Sequence, residues 1–188
     1  MTTLSTETTL PAGLTAGTYA IDPSHSEVGF VARHAMVTKV RGRFTEVEGT
    51  LTFGNDVESS TAVATIQAAS VTTGSADRDG HLKSADFFDV EQYPTITFAA
   101  SGVRADGDAY VLDGNLTIKD VTRPVSLPVQ FEGVATDPFG NQRAGFSAST
   151  VIEREHWGLT WNAALETGGV LVSKKITLQL DISAIKQA

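Results

Sequence analysis

The 188-residue chain has no cysteine, and its 14 Lys and Arg are outnumbered by 22 Asp and Glu. Without cysteine, a disulfide scaffold, a thiolate nucleophile and a cysteine-ligated metal are all excluded. The formal net charge of −8, with no basic cluster to offset it, argues against a nucleic-acid partner and against docking on anionic lipid. No apolar run approaches the ~20 residues that a membrane-spanning helix needs, so stable membrane insertion is not expected. The opening stretch MTTLSTETTLPAGLTAG has neither a basic flank nor an apolar core. It does not read as a secretory leader; residues 1–17 read as a flexible polar arm, and the protein as cytoplasmic. There is no G-x-S-x-G and no phosphate-binding loop. Ser24 and His25 are adjacent, but a nucleophile and its base need spatial convergence with a third group. His25, His34, His81 and His156 show no metal-ligand spacing. The chain therefore reads as a non-enzyme without metal or cofactor.

What the chain does have is alternation. With 41% hydrophobic and 19% charged residues it supports one domain, residues 18–188. Tyr19 to Ile21 reads as a short strand ended by Asp22-Pro23-Ser24. From Ser26 to His34, Val28, Phe30, Ala32 and His34 share one face. Val37 to Arg41 reads as a turn or short helix. Gly42 to Phe53 reads as one strand, with Val47, Gly49, Leu51 and Phe53 opposite Phe44. Thr61 to Thr72 is another, with Ala62, Ala64, Ile66 and Ala68 on one face. Ile96, Phe98 and Ala100 alternate next, and Asp106-Gly107-Asp108 is a hairpin turn. Tyr110 to Ile118, Arg123 to Phe131, Arg143 to Ile152 and Lys174 to Ile185 continue the pattern. Pro124 and Pro128 suggest edge-like positions or bulges.

About eight long strands joined by hairpins predict an all-β fold, a sandwich or a barrel. Ten-residue strands span roughly 33 Å, which favours an antiparallel eight-stranded β-barrel. The one interruption is Ser70 to Ala100, where a short helical segment near residues 77–84 carries Leu82 and is followed by Phe87-Phe88 and Tyr93-Pro94. It reads as a lid, with one phenylalanine in the lumen or lid and the other in the barrel wall.

The inward faces mix large and small residues. Phe30, Leu51, Ile66, Phe98, Leu116 and Phe146 line a lumen in which Ala32, Ala64 and Ala148, with Gly49, Ala62, Ala68, Ala100, Gly114 and Ala144, leave room. An eight-stranded barrel either fills itself or holds one small ligand, and on pattern alone the small residues also fit a filled, tapering barrel. At the mouth, His34 is placed at the tunnel end, and Arg78, Asp79 and His81 crowd the start of the helix. These three read either as a polar gate that positions the lid or meets a ligand head, or as capping and a local ion pair. Trp157, with Trp161, is placed at the other mouth or in the core. Arg41, Arg43 and Arg143 are the cations available to an anionic head or, equally, solvated strand-end charges.

The segments IDPSHSEVGF, RGRF followed by GTLTF, SVTTGSADRDGHLKSADFFDVEQYPTITF, LDGNLTIKDVTRPVSLPVQF and FSASTVIEREHWGL carry a resemblance. They are similar to the YceI-like family of bacterial polyisoprenoid-binding proteins, over nearly the whole chain from Tyr19 to Ile185. The resemblance implies an extended, lipocalin-like barrel whose apolar tunnel takes a long-chain isoprenoid or similar lipid, of polyprenyl quinone or phosphate type. It also implies a homodimer. Many members carry a secretory signal, a pattern from which this N-terminus departs. The rival readings are an enzyme acting on such a molecule through His34, His81 or Asp79, and a stress-related module with a filled barrel.

Overall fold

The computed structural model describes residues 8–188. Eleven strands form one antiparallel sheet: β1 (Gly17–Ile21), β2 (Glu27–His34), β3 (Thr38–Phe44), β4 (Val47–Phe53), β5 (Thr61–Gln67), β6 (Val71–Thr72), β7 (Thr95–Asp106), β8 (Ala109–Ile118), β9 (Val121–Thr136), β10 (Gln142–Glu153) and β11 (Lys175–Lys186). Among the described residues there is a single α-helix, α1 (Ala76–Lys83), between β6 and β7. The sheet closes on itself where β1 pairs with β11.

Three of the long strands are broken, which reconciles eleven segments with eight staves. Pro23–His25 form a 3-10 turn between β1 and β2, with the Asp22 carboxylate accepting from the Ser24 N–H. Proline brings no N–H to a ladder, so the strand yields there. β3 and β4 are separated by Thr45 and Glu46, and β5 and β6 by the 3-10 turn Ala68–Ser70. These two breaks face one another, and Ser70 stitches them: its carbonyl accepts from Thr45 N at 3.3 Å and its hydroxyl from Glu46 N at 3.1 Å. Each pair therefore acts as one stave, β1 and β2 against β4 and β3, and β3 and β4 against β6 and β5. Eight antiparallel staves close the barrel, the architecture that the alternation predicts.

The breaks correct two expectations. Val37 to Arg41 is neither turn nor helix alone: the β2–β3 hairpin turns through Ala35 and Met36, at φ 50° and 64°, and β3 begins at Thr38. Gly42 to Phe53 is not one alternating strand. The interruption at Thr45–Glu46 flips the parity, so Phe44 and Val47 both face inward.

At one end the sheet parts. β10 pairs with β9 only from Val129 onward, leaving Val121–Pro128 paired with β8 alone. Pro124 and Pro128 sit in that locally free edge, where a missing N–H breaks no ladder bond. The gap is filled by the segment after β10, whose Trp157 is 3% exposed and donates Nε1–H to the Leu116 carbonyl at 2.9 Å.

The core has two parts. One, at the end near α1, gathers Ala68, Phe87, Ile96, Leu116, Ile118, Trp157 and Leu159. The other gathers Leu14, Tyr19, Ala144 and Ala184 with Phe53, Phe131 and Phe146. Leu14 belongs to the stretch expected as a free arm. Residues 1–7 of that arm lie outside the described residues, but from Thr8 the chain is strapped to the barrel. Thr8 donates its N–H and hydroxyl to Glu58 at 3.1 and 2.7 Å, and Leu14 is buried. Burying a leucine gains roughly 1.5–3 kcal/mol, which ties the strap down. Among the described residues no helix is long and apolar enough to cross a membrane.

Candidate functional site

Inside the barrel is a cavity of about 330 Å³. It extends from the strap, where Leu10, Pro11, Leu14 and Phe53 line it, to the far end, where Leu82, Phe87, Phe88 and Leu159 do. An apolar cavity of about 150 Å³ already stays dry and takes up a small hydrocarbon. Nine of the residues that the sequence alternation places in the tunnel lie on its wall: Phe30, Ala32, Leu51, Ala64, Ile66, Phe98, Leu116, Phe146 and Ala148. Between them run the apolar side chains of β8, β9 and β11, including Leu112, Leu127, Leu178 and Leu180.

The small inward residues divide into two kinds. Ala32, Ala62, Ala64 and Ala148 line open space. Gly42 and Gly114 do not: the Phe30 ring lies over Gly42 and the Phe98 ring over Gly114, and a Cβ at either glycine would collide with the ring. Gly49 is likewise covered by Ile21 and the Val63 carbonyl. Ala144 is fully buried in the seam between β10 and β11, opposite Ala184. Gly49, Gly114 and Ala144, expected to leave room, instead let neighbours approach closely. Ala100 is not on the cavity wall either. A bulge between Ala100 and Gly102 shifts the register, and Val103 faces inward instead.

The lid is built by α1 and the turns behind it. Ser75 caps the helix by accepting from Arg78 N at 3.4 Å. Phe88 N donates to the Leu82 carbonyl at 2.9 Å and Phe87 N to that of Ser84 at 3.0 Å, while Asp89 turns through φ 49°. Because this stretch is a turn and not a strand, period two does not apply. Both phenylalanines reach the cavity with Leu82, where one in the lumen or lid and one in the barrel wall is the sequence expectation. Phe88 then meets Phe44 edge-on at 5.7 Å, and Phe44 meets Phe30 at 5.8 Å.

The polar residues proposed for the mouth do not line the cavity. Arg78 donates to the Thr73 hydroxyl at 2.7 Å and carbonyl at 2.9 Å, and Asp79 accepts from the same Thr73 hydroxyl and N–H at 2.6 and 2.8 Å. The hydroxyl bond, above all, holds the Asp79 carboxyl below its usual range. His81 pairs with Asp86 at 2.9 Å and packs edge-on against Phe87 and Trp161 at 5.0 and 4.6 Å. These three fasten the lid from outside and do not line the cavity. His34, expected at the tunnel end, is exposed where β2 bridges to Val172. Trp157 and Trp161 are at the lid end, not the opposite mouth: Trp157 is in the lid-end core and Trp161 is 5.5 Å from Phe87.

Arg41 and Arg43 are exposed on β3. Arg143 is spent on the outer surface, bonded to Asp22 and Asp137 at 2.8 Å each. The Arg143 bond is the main reason why the Asp22 carboxyl stays far below its usual range. At Asp137 desolvation opposes, but the bonds from Asn141, Arg143 and Phe139 prevail and hold it at about 2. Beside them, Ser24, His25 and Asp22 do converge, yet the serine hydroxyl at 3.0 Å and the carboxylate at 2.7 Å both meet the same imidazole nitrogen, Nδ1. A proton relay needs one partner on each ring nitrogen, so the cluster caps a turn. Among the described residues, no three His, Asp or Glu converge as metal ligands.

The cation missed in the sequence is Arg154, among the described residues the one charged side chain on the cavity wall and only 4% exposed. Its signal lies in the alternation: Ala148 and Ile152 line the cavity, and a period of two carries on to residue 154. It donates Nε–H to the Ser173 carbonyl at 2.8 Å, Nη1–H to Leu159 at 2.6 Å and Nη2–H to Val172 at 3.3 Å, and its guanidinium lies 5.9 Å from the Phe87 ring centre. Burial lowers its pKa.

Comparison with known proteins matches this barrel. Residues 19–184 match the model of the YceI-like domain. A UPF0312 protein of Staphylococcus aureus (strain MSSA476) is 38% identical over 166 residues, 86% of this chain and 93% of that protein. Among solved structures, the Campylobacter jejuni YCEI protein is similar with a TM-score of 0.71 and 28% identity, covering 83% of this chain and 90% of that one. Burkholderia cenocepacia BcnA has a TM-score of 0.75 at 23% identity, over 87% and 98%. A polyisoprenoid binding domain from Saccharophagus degradans has a TM-score of 0.66 at 14% identity, over 92% and 100%. The last two support the fold alone; the domain match and the staphylococcal relative, reaching across almost the entire barrel and its lid, establish that this chain belongs to the YceI-like family.

Proposed function

We propose that the barrel binds the apolar chain of an amphiphilic lipid of long-chain isoprenoid type, and sequesters or carries it without chemical change. The observation that carries this reading is the cavity itself, continuous from strap to lid and lined almost wholly by hydrocarbon. A neighbouring fold is named as a polyisoprenoid binding domain, which agrees with it. Each buried CH₂ contributes roughly 0.8 kcal/mol. Association itself costs on the order of 4–15 kcal/mol, so a chain of about ten carbons binds marginally and a chain of about twenty binds well. Affinity then rises with chain length until the cavity is full.

Native mass spectrometry of the purified protein tests the reading, first as isolated and then after incubation with geranylgeraniol. Lipid bound to the parent and lost in Ala148→Trp, with the β-sheet circular dichroism of the variant intact, supports it. A parent that never takes up geranylgeraniol or any co-purifying lipid overturns it. The homodimer that the family resemblance implies is part of the same reading, and sedimentation of the purified protein decides it.

A further inference from the structure

Resting on the lipid-binding reading, we infer that Arg154 is the head-group site: the amphiphile carries an anionic head, carboxylate or phosphate, which meets the guanidinium at the lid end while the chain runs toward the strap. Among the described residues, the wall is apolar except for Ser60, Thr61, Tyr110, Ser147 and Arg154, and only Arg154 is charged. Ser60 and Ser147 donate elsewhere, to the Asp56 carbonyl at 3.1 Å and to Glu132 at 2.6 Å.

A buried cation without a counter-charge costs several kcal/mol, and among the described residues Arg154 has no carboxylate within ion-pair distance. The acid beside it in sequence, Glu155, acts on it only through space and pairs with Lys174 at 3.6 Å, and burial outweighs its effect. Three backbone carbonyls hold the guanidinium by one N–H from each nitrogen. A guanidinium has five such hydrogens, so two remain for an acceptor. Carboxylate and phosphate are the acceptors that match this planar, fixed donor. The carbonyls fasten Arg154 to both ends of the segment that plugs the parted sheet, so the donor is held in place before any ligand arrives. At the strap end of the wall, Ser60 and Thr61 are the polar lining residues and neither is charged, which sets the direction of the chain.

The experiment is a titration of the full chain, stripped of lipid, with two matched pairs: palmitate and palmityl alcohol, geranylgeranyl phosphate and geranylgeraniol. The expected result is that the acid of at least one pair binds the parent tenfold or more tightly than its alcohol, and that Arg154→Gln brings the two within twofold. Preference in the phosphate pair alone, or in the carboxylate pair alone, supports the inference and names the head. Equal binding of acid and alcohol in both pairs overturns it while leaving the lipid reading intact. An acid preference that survives in Arg154→Gln also overturns it. If no member of either pair binds, the lipid reading itself falls. Should Arg154→Gln fail to fold, the acid-to-alcohol ratio of the parent still decides.

Discussion

The two ends of the barrel are closed by opposite means. At the lid end the sheet parts between β9 and β10, and bulk fills the opening: Trp157, Phe87, Phe88 and Leu159, with the Arg154 guanidinium held among carbonyls. At the strap end the sheet is continuous from β9 through β10 and β11 to β1, and closeness does the work. Ala144 and Ala184 face each other with no exposed surface, and the Tyr19 ring sits edge-on to Phe53 at 5.2 Å. Side chains inserted into a gap are fastened by polar bonds to a few atoms, whereas a paired seam is fastened along its whole backbone. The lid end is thus the part of the barrel able to open with the least loss of ladder bonds.

That contrast is testable, and the largest effect is expected at the lid. Trp157→Ala removes a buried indole together with the hydrogen bond to Leu116, and urea unfolding should report a loss of about 3–5 kcal/mol. At the strap end the corresponding injury is addition, not removal. Ala184→Leu forces extra carbon into the seam and should cost about 1–3 kcal/mol by the same measurement. If the seam variant loses more than the tryptophan variant, the assignment of bulk to one end and closeness to the other is wrong. A smaller change sharpens the point: Tyr19→Phe keeps the ring and deletes only the hydroxyl that donates to the Thr15 carbonyl at 3.0 Å. About 0.5–1.5 kcal/mol is expected, with hydrogen exchange rising at Thr15 and not at the lid.

The smallest effect at neutral pH is expected from the partly buried trio of Arg143, Asp22 and Asp137, which lies on the outside of the barrel where water still screens part of the charge. Both carboxyls are depressed in the folded protein. Their contribution is therefore present above the ordinary carboxylate range, near pH 4, and is lost as the pH falls toward about 2. Arg143→Gln should lower Tm at pH 7, and the gap between variant and parent should narrow through that window. A gap that stays constant down to pH 2 would mean that the trio contributes through packing and not through charge.

Much of the wall was legible because a strand has period two. Phe30, Leu51, Ile66, Phe98, Leu116 and Phe146 could be placed from alternation without knowing which strands were neighbours. The reading failed where the period was interrupted. Thr45–Glu46 flipped Phe44 inward, the bulge after Ala100 exchanged it for Val103, and the turn behind α1 sent Phe87 and Phe88 to the same side. It failed in another way at Gly49, Gly114 and Ala144, where a small residue looked like empty space and proved to be a seat for a neighbour. Arg154 lies just beyond the alternating run Arg143 to Ile152, and nothing but its parity marks it as inward.

The sequence by itself determined the alternating strands, most of the inward set and the helical interruption, since alternation and turn chemistry are local properties of the chain. Only the closed structure decided how much of the interior stays open and which cation is buried in its wall. Those depend on Phe98 meeting Gly114, on Trp157 reaching Leu116 and on Arg154 finding Ser173. Such contacts join residues far apart in the chain, and they are set by how eight staves meet around an axis.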